Sequence, residues 1–307
     1  MRIVIIGAGG TGGYFGGLLA RAGENVTFLA RGTQLEALRT HDLTVKSRLA
    51  GTFSVPVHAT NDPQEIGPAD LVLFCVKTYD TVAASQGLHH FIGSETVVLP
   101  VQNGIDAAER LSREVEASHL VGGVAYVTSQ IESPGVVAQT AGSGSIELGE
   151  LAGGQSERTH RLQQVLQHAG ISTKLPADIR VSLWEKFLFI CAFSGVTALT
   201  RLPIGQVFAY QETSELLKAV MKEGEVLARA RGIALPDGIV ERLVAQLKAL
   251  EPEAMGSMAF DLLAGRRLEI EALNGTMVRL GQEQGMSLPF NTAIYAALKP
   301  YANGVLR

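Results

Sequence analysis

The chain opens with Arg2-Ile3-Val4-Ile5-Ile6-Gly7-Ala8-Gly9-Gly10-Thr11-Gly12, and few folds accommodate that succession. A short β-branched run ends in Gly-x-Gly-x-x-Gly, and helix-compatible residues follow at once. Each glycine has its own task. Gly7 permits a tight strand-to-helix turn, Gly9 lets a diphosphate approach the backbone, and Gly12 lets the helix lie close to the strand. The N–H groups and positive dipole end of that helix then face the anion. The motif alone is weak, because glycine-rich turns occur in many α/β folds. Its context strengthens it: the helix closes near Gly23, and a second strand spans Asn25 to Leu29. This points to a dinucleotide-binding βαβ unit, with Gly7, Ala8, Gly9, Gly10, Thr11 and Gly12 cradling the phosphates.

The end of the second strand chooses between the two nicotinamide cofactors. NAD sites usually carry an Asp or Glu there to accept from the ribose hydroxyl. Here the residues are Leu29-Ala30-Arg31-Gly32, with an arginine and no carboxylate. A guanidinium matches a ribose 2′-phosphate through charge-assisted, bidentate hydrogen bonds. The expected cofactor is NADP(H), against the plainer reading of a solvent-facing arginine.

Residues 43–59 alternate as a hairpin or a pair of strands, and Asn61-Asp62-Pro63 looks like a helix start. Two continuous apolar strands follow, Asp70–Val76 and Thr96–Val101, as a sheet covered on both faces requires. They deliver Lys77 and Asn103 to the carboxyl edge, where open α/β sheets bind ligands. A solvated lysine and a simple Asn-Gly turn are the alternatives. From Leu120 to Leu148 the pattern predicts an antiparallel extension of the same sheet. A helix over 156–169 and a strand Ile171–Leu175 lead to Pro176, the expected boundary between domains 1–176 and 177–307.

Beyond it the periodicity is helical. Asp178 is a natural N-cap for a long helix over Ile179–Leu199. Inside it Lys186 is the only lysine among Leu183, Trp184, Phe187, Leu188, Phe189 and Ile190. Such a lysine either snorkels to water or lines a cleft. Further helices are predicted over Ser214–Arg231, Pro236–Leu250, around Ala254–Ala264, and over Glu269–Gln284. An active cleft is expected between the two halves.

Several partner classes are disfavoured. A net charge of −4 over 307 residues, with no basic run, argues against nucleic acid and anionic membranes. The first residues form a strand rather than a signal peptide, and no apolar stretch of about twenty residues suggests a span. The two cysteines, Cys75 and Cys191, lie in apolar runs and read as buried thiols in a reducing compartment, the cytoplasm. The histidines lack metal-ligand spacing, adjacent His89 and His90 would diverge on a helix, and no metal is expected.

In order along the chain stand the opening fingerprint, Arg31, Val76-Lys77-Thr78, Gln102-Asn103-Gly104, Leu183-Trp184-Glu185-Lys186, Ser257-Met258 and Glu269-Ile270-Glu271-Ala272-Leu273-Asn274-Gly275. Any one of these is weak, but the ordered set resembles the ketopantoate reductases (2-dehydropantoate 2-reductases) nearly end to end. The resemblance implies an N-terminal Rossmann-type domain and an all-α C-terminal domain like that of 6-phosphogluconate dehydrogenases. It implies NADPH-dependent reduction of 2-dehydropantoate to pantoate, towards pantothenate and coenzyme A. Lys186 matches the family's catalytic lysine, and Glu269 the glutamate beside cofactor and active site. Lys77, Asn103 and Thr128 match cofactor-contacting positions, and Ser257 a substrate-binding serine. Asn103 is also a candidate for the substrate. The expected partner is a small 2-oxo acid; the helical half leaves room for a homodimer.

The chain departs from the family where substrate would bind. Asparagines usual four and eight residues after the lysine are Ile190 and Ser194 here. A third is replaced in Ile204-Gly205, and the later serine pair is Gly256-Ser257. Polar groups of this kind discriminate strongly between substrates. Two further readings therefore stand beside the first: a reductase of a more apolar 2-oxo acid or imine, and a non-catalytic NADPH-binding sensor or partner protein.

Overall fold

The run Ile3-Val4-Ile5-Ile6 in β1 (Arg2–Ile6) is buried on both faces and forms the middle of a parallel sheet. Ile3 and Ile5 join one apolar cluster and Val4 and Ile6 another, as the two-residue period of a strand demands. The computed structural model describes residues 1–304. After β1 come α1 (Gly10–Arg21), β2 (Asn25–Leu29), α2 (Gly32–Thr40), β3 (Leu43–Ser47), β4 (Gly51–Val55) and β5 (His58–Thr60). Next are β6 (Leu71–Phe74), α3 (Thr81–Ser85), β7 (Val97–Pro100) and α4 (Ala107–Leu111). The sheet order is β5-β2-β1-β6-β7, all parallel. This is the nucleotide-binding, Rossmann-type arrangement.

The segment after Leu120 corrects the sequence reading. β8 (Gly122–Ser133) and β9 (Val136–Gly149) form a long hairpin that does not extend the first sheet. It belongs to a second sheet of order β10-β9-β3-β4, with β8 on β9 and β10 at Thr173–Lys174. Continuity with the first sheet is one parallel bridge, Val98 to Leu120. β3 and β4 are the expected hairpin, but β3 pairs in parallel with β9 while β5 returns to β2. Alternation reveals that a segment is a strand; it does not reveal which edge it joins. α5 (Glu157–His168) starts at a capping box in which the Ser156 hydroxyl accepts from the Thr159 N–H.

The chain divides into two units: Met1–Gln102 with Ala107–Arg180, and Asn103–Asp106 with everything from Val181 on. The division falls in the first turn of α6 (Ile179–Thr200). Asp178 caps this helix, its carboxylate accepting from the Arg180 N–H at 2.9 Å. The α6 residues Trp184, Phe187, Leu188, Cys191, Ala192 and Val196 form the middle of the second unit's core. α6 corrects the expectation that no membrane-length apolar stretch exists, since by length and composition it could cross one. A helix apolar all round is also what a core demands, and 61% of its most apolar window is buried within the protein.

α7 (Ile204–Ala209), α8 (Gln211–Ala230), α9 (Ile239–Lys248) and α10 (Ser257–Leu263) contribute to the same apolar core as α6. The helix predicted over Glu269–Gln284 is interrupted. A π-turn over Glu271–Gly275, with Leu273 at φ −102°, ψ −105°, precedes α11 (Thr276–Glu283). Gly275 lets Tyr295 approach there: a Cβ would lie 2.9 Å from its ring. α12 (Pro289–Leu298) was not separable in the sequence. Glu223 of α8 caps it, accepting from the Phe290 and Asn291 N–H groups at 2.8 and 2.9 Å.

Two smaller expectations also change. Cys75 is half-buried, whereas Cys191 is fully buried, and both are free thiols. The His89 and His90 rings do not diverge but lie 3.9 Å apart.

Candidate active site

The glycine loop is a tight turn packed closely against its neighbours. Gly7 has φ +101°, and a Cβ there would press on Val76 at 2.8 Å. At Gly12 a Cβ would lie 2.0 Å from the Gly7 oxygen, so helix and strand approach only because it is glycine. Gly9 differs: nothing lies within 4 Å of a Cβ built on it. Its space is open, as a site for a diphosphate requires. α1 begins after Gly9 with no side-chain cap and no acidic residue in its first turn. Its N–H groups and dipole are therefore available to an anion. Gly10, between Gly9 and Thr11, has a separate role: its Cβ would lie 2.3 Å from the Ser129 carbonyl oxygen. Strand β8 thus packs on the loop. The sequence carried no sign of this, because β8 lies more than a hundred residues away.

β8 bulges at this point, with register shifts on both sides of Thr128, which is exposed. Arg31 is the N-cap residue of α2 and projects into solvent, its side chain 70% exposed. Its guanidinium pairs with Asp80 at 3.2 Å. Lys77 is exposed at the carboxyl end of β6, just before the 3₁₀ turn Thr78–Asp80. Sequence reading named Arg31 and Lys77 but not Asp80. Its one signal was a carboxylate three residues past the strand-end lysine.

The second unit brings Lys186 and Glu269 together. Lys186 is half-buried on α6, and burial pushes its ammonium down from 10.5 to about 8. The Glu269 carboxylate, itself buried, opposes that fall by its charge. Ile190 and Ser194 follow at one and two turns along α6; Ile190 is half-buried and Ser194 buried. Ser257 opens α10 and is exposed. Gly256 before it is pressed on α6, where a Cβ would lie 2.4 Å from Ser194 Cα and 2.5 Å from its Oγ. The hydroxyl missing at 256 thus has a steric reason. Ile204 is in the core, with its N–H donated to the Ala254 carbonyl.

Asn103 follows the carboxyl end of β7. It lies in the segment Asn103–Asp106, which belongs to the helical unit. Gly104 sits at φ +95°, where a Cβ would lie 3.0 Å from the Ala272 oxygen. Asp106 accepts from the Thr276 hydroxyl at 3.4 Å. Among the described residues, no group of three or more His, Cys, Asp or Glu could hold a metal ion.

A glycine-loop Rossmann unit joined to a helical unit carrying a half-buried lysine beside a buried glutamate defines a class, the nicotinamide-dinucleotide oxidoreductases. Comparison with known proteins narrows it. The sequence matches the families described as "Ketopantoate reductase PanE/ApbA" over residues 3–153 and "Ketopantoate reductase PanE/ApbA C terminal" over 178–302. It is 30% identical to the 2-dehydropantoate 2-reductase of Archaeoglobus fulgidus, over 99% of each chain. The crystal structure of a Geobacter metallireducens 2-dehydropantoate 2-reductase superposes with a TM-score of 0.91 at 33% identity, over 98% of this chain and 99% of that one. A D-mandelate dehydrogenase bound to NADH and anilino(oxo)acetate shares the fold at 22% identity, with a TM-score of 0.88 over 98% of both chains. The chain belongs to the ketopantoate reductase family, oxidoreductases acting on a CH–OH group.

Proposed function

We propose that this chain is an NADPH-dependent 2-dehydropantoate 2-reductase of the cytoplasm, forming (R)-pantoate on the way to pantothenate and coenzyme A. The observation that carries the proposal is the half-buried Lys186, brought down to about 8 by burial, with the buried Glu269 carboxylate opposing that fall. Binding a nucleotide needs no such pair; reducing a ketone calls for a proton donor at the carbonyl oxygen, which this pair can supply.

The open Gly9, the uncapped start of α1 and the exposed Arg31 fit the diphosphate and 2′-phosphate of NADPH. Lys77, Asn103 and Thr128 are assigned to the same cofactor. When bound, NADPH supplies a hydride to the keto carbon. Negative charge then develops on the carbonyl oxygen. The Lys186 ammonium stabilises that charge and gives the oxygen a proton from Nζ. Glu269 keeps the amine protonated despite its burial. Ser257 and Asn103 orient the substrate.

Ile190, and Ser194 pressed on Gly256, favour a second reading: reduction of a related 2-oxo acid with a less polar tail. NADPH absorbance loss with a panel of 2-oxo acids, ketopantoate included, separates the two. Turnover of ketopantoate is expected, with kcat falling about 10²–10³-fold in Lys186→Ala while NADPH binding persists. Turnover confined to apolar ketones would establish the second reading. Tight NADPH binding without any turnover would leave a non-catalytic binder.

A further inference from the structure

We propose that Asp80 sets how far this chain prefers NADPH to NADH, by competing with the 2′-phosphate for Arg31. The inference rests on the assignment of Arg31 to that phosphate. The first-sheet topology explains the encounter. Arg31 follows β2 and Asp80 follows β6, the two strands that flank β1. The registers align all three carboxyl ends, Ile6 pairing with Leu29 on one side and Phe74 on the other. The ion pair therefore reaches across two inter-strand gaps, about 10 Å, at the end of the sheet where the glycine loop leaves β1. That edge is where an open α/β sheet takes its dinucleotide.

The chemistry at this place is double. NAD sites usually carry a carboxylate at the end of the second strand, and this sequence has Arg31 there. Folding restores a carboxylate from forty-nine residues downstream, 3.2 Å from the guanidinium. One spot thus holds a cation suited to a 2′-phosphate and an anion suited to a ribose 2′-hydroxyl. The guanidinium is 70% exposed and the carboxylate 32%, so the pair is weak enough for a phosphate to compete for the arginine. With NADPH, the phosphate must draw the guanidinium from Asp80 and bear the repulsion of that carboxylate. With NADH, Arg31 stays paired while Asp80 accepts from the hydroxyl. Asp80 therefore weakens the cofactor that Arg31 favours and supports the one that Arg31 does not.

The test is calorimetric titration of the full chain with NADPH, NADH, 2′,5′-ADP and 5′-AMP, for wild type, Asp80→Asn, Asp80→Ala and Arg31→Ala. Removing the carboxylate charge should tighten NADPH and 2′,5′-ADP about three- to ten-fold. NADH and 5′-AMP should weaken, and the NADPH gain should shrink as salt rises. Thermal melts of both Asp80 variants establish that each is folded. An NADPH-to-NADH affinity ratio that moves less than about two-fold in both Asp80 variants would overturn the proposal. If Arg31→Ala collapses that ratio and the Asp80 variants leave it alone, only the competition fails. If Arg31→Ala leaves it unchanged, the phosphate assignment fails as well.

Discussion

Glu269→Gln isolates the charge that acts on Lys186, because the amide keeps the shape of the carboxylate and loses its charge. Burial brings the lysine from 10.5 to about 8 even with Glu269 opposing it. At about 1.4 kcal/mol per tenfold change in proton affinity, that favours the neutral amine by about 3 kcal/mol. A close opposite charge moves a neighbour by about one pH unit or more, so in the variant Lys186 should titrate at least that much lower. The proposed proton donor works only when charged, so activity must fall as pH rises through the lysine's value. At pH 7.5 about three-quarters of the wild-type amine is protonated, against about a quarter or less in the variant. The expected loss is about three-fold or more, recovering as the pH is lowered. The assay is kcat/KM for ketopantoate from pH 6 to 9.5, which reports ionisations of the free protein. Wild type should decline as pH rises through about 8, and the variant about one pH unit or more earlier. A descending limb unmoved by the substitution, or a wild-type profile flat to pH 9.5, would refute the coupling. A pH-independent loss would instead mark a contribution of Glu269 to cofactor binding.

Two further substitutions test the glycines. Gly9→Ala adds a methyl where the protein has nothing within 4 Å, so unfolding stability in urea should stay within about 0.5 kcal/mol. NADPH affinity should drop about ten-fold or more if, as proposed, the diphosphate approaches at Gly9; unchanged affinity would remove Gly9 from the proposed cradle. Gly256→Ser drives a Cβ against Ser194 and should cost about 1–3 kcal/mol in the same unfolding measurement. An unshifted urea midpoint would mean that α10 yields there.

Local chemistry is what the sequence alone could determine. The apolar run Ile3–Ile6, the glycines after it, the strand Asn25–Leu29 and the Asp178 cap each depend on residues close in the chain, and each is found where it was expected. The same locality made Lys186 conspicuous as a lone lysine in an apolar helix. It could not say that burial would hold that lysine near pH 8 with Glu269, eighty-three residues on, acting against it. Tertiary structure also decided that the Leu120–Leu148 hairpin builds a second sheet, and that β8 rests on Gly10. It decided as well that Arg31 meets Asp80. In each case the partner is remote in the chain, and burial and Coulomb interactions depend on distance in space. Periodicity records the shape of a segment; only the folded chain records what that segment faces.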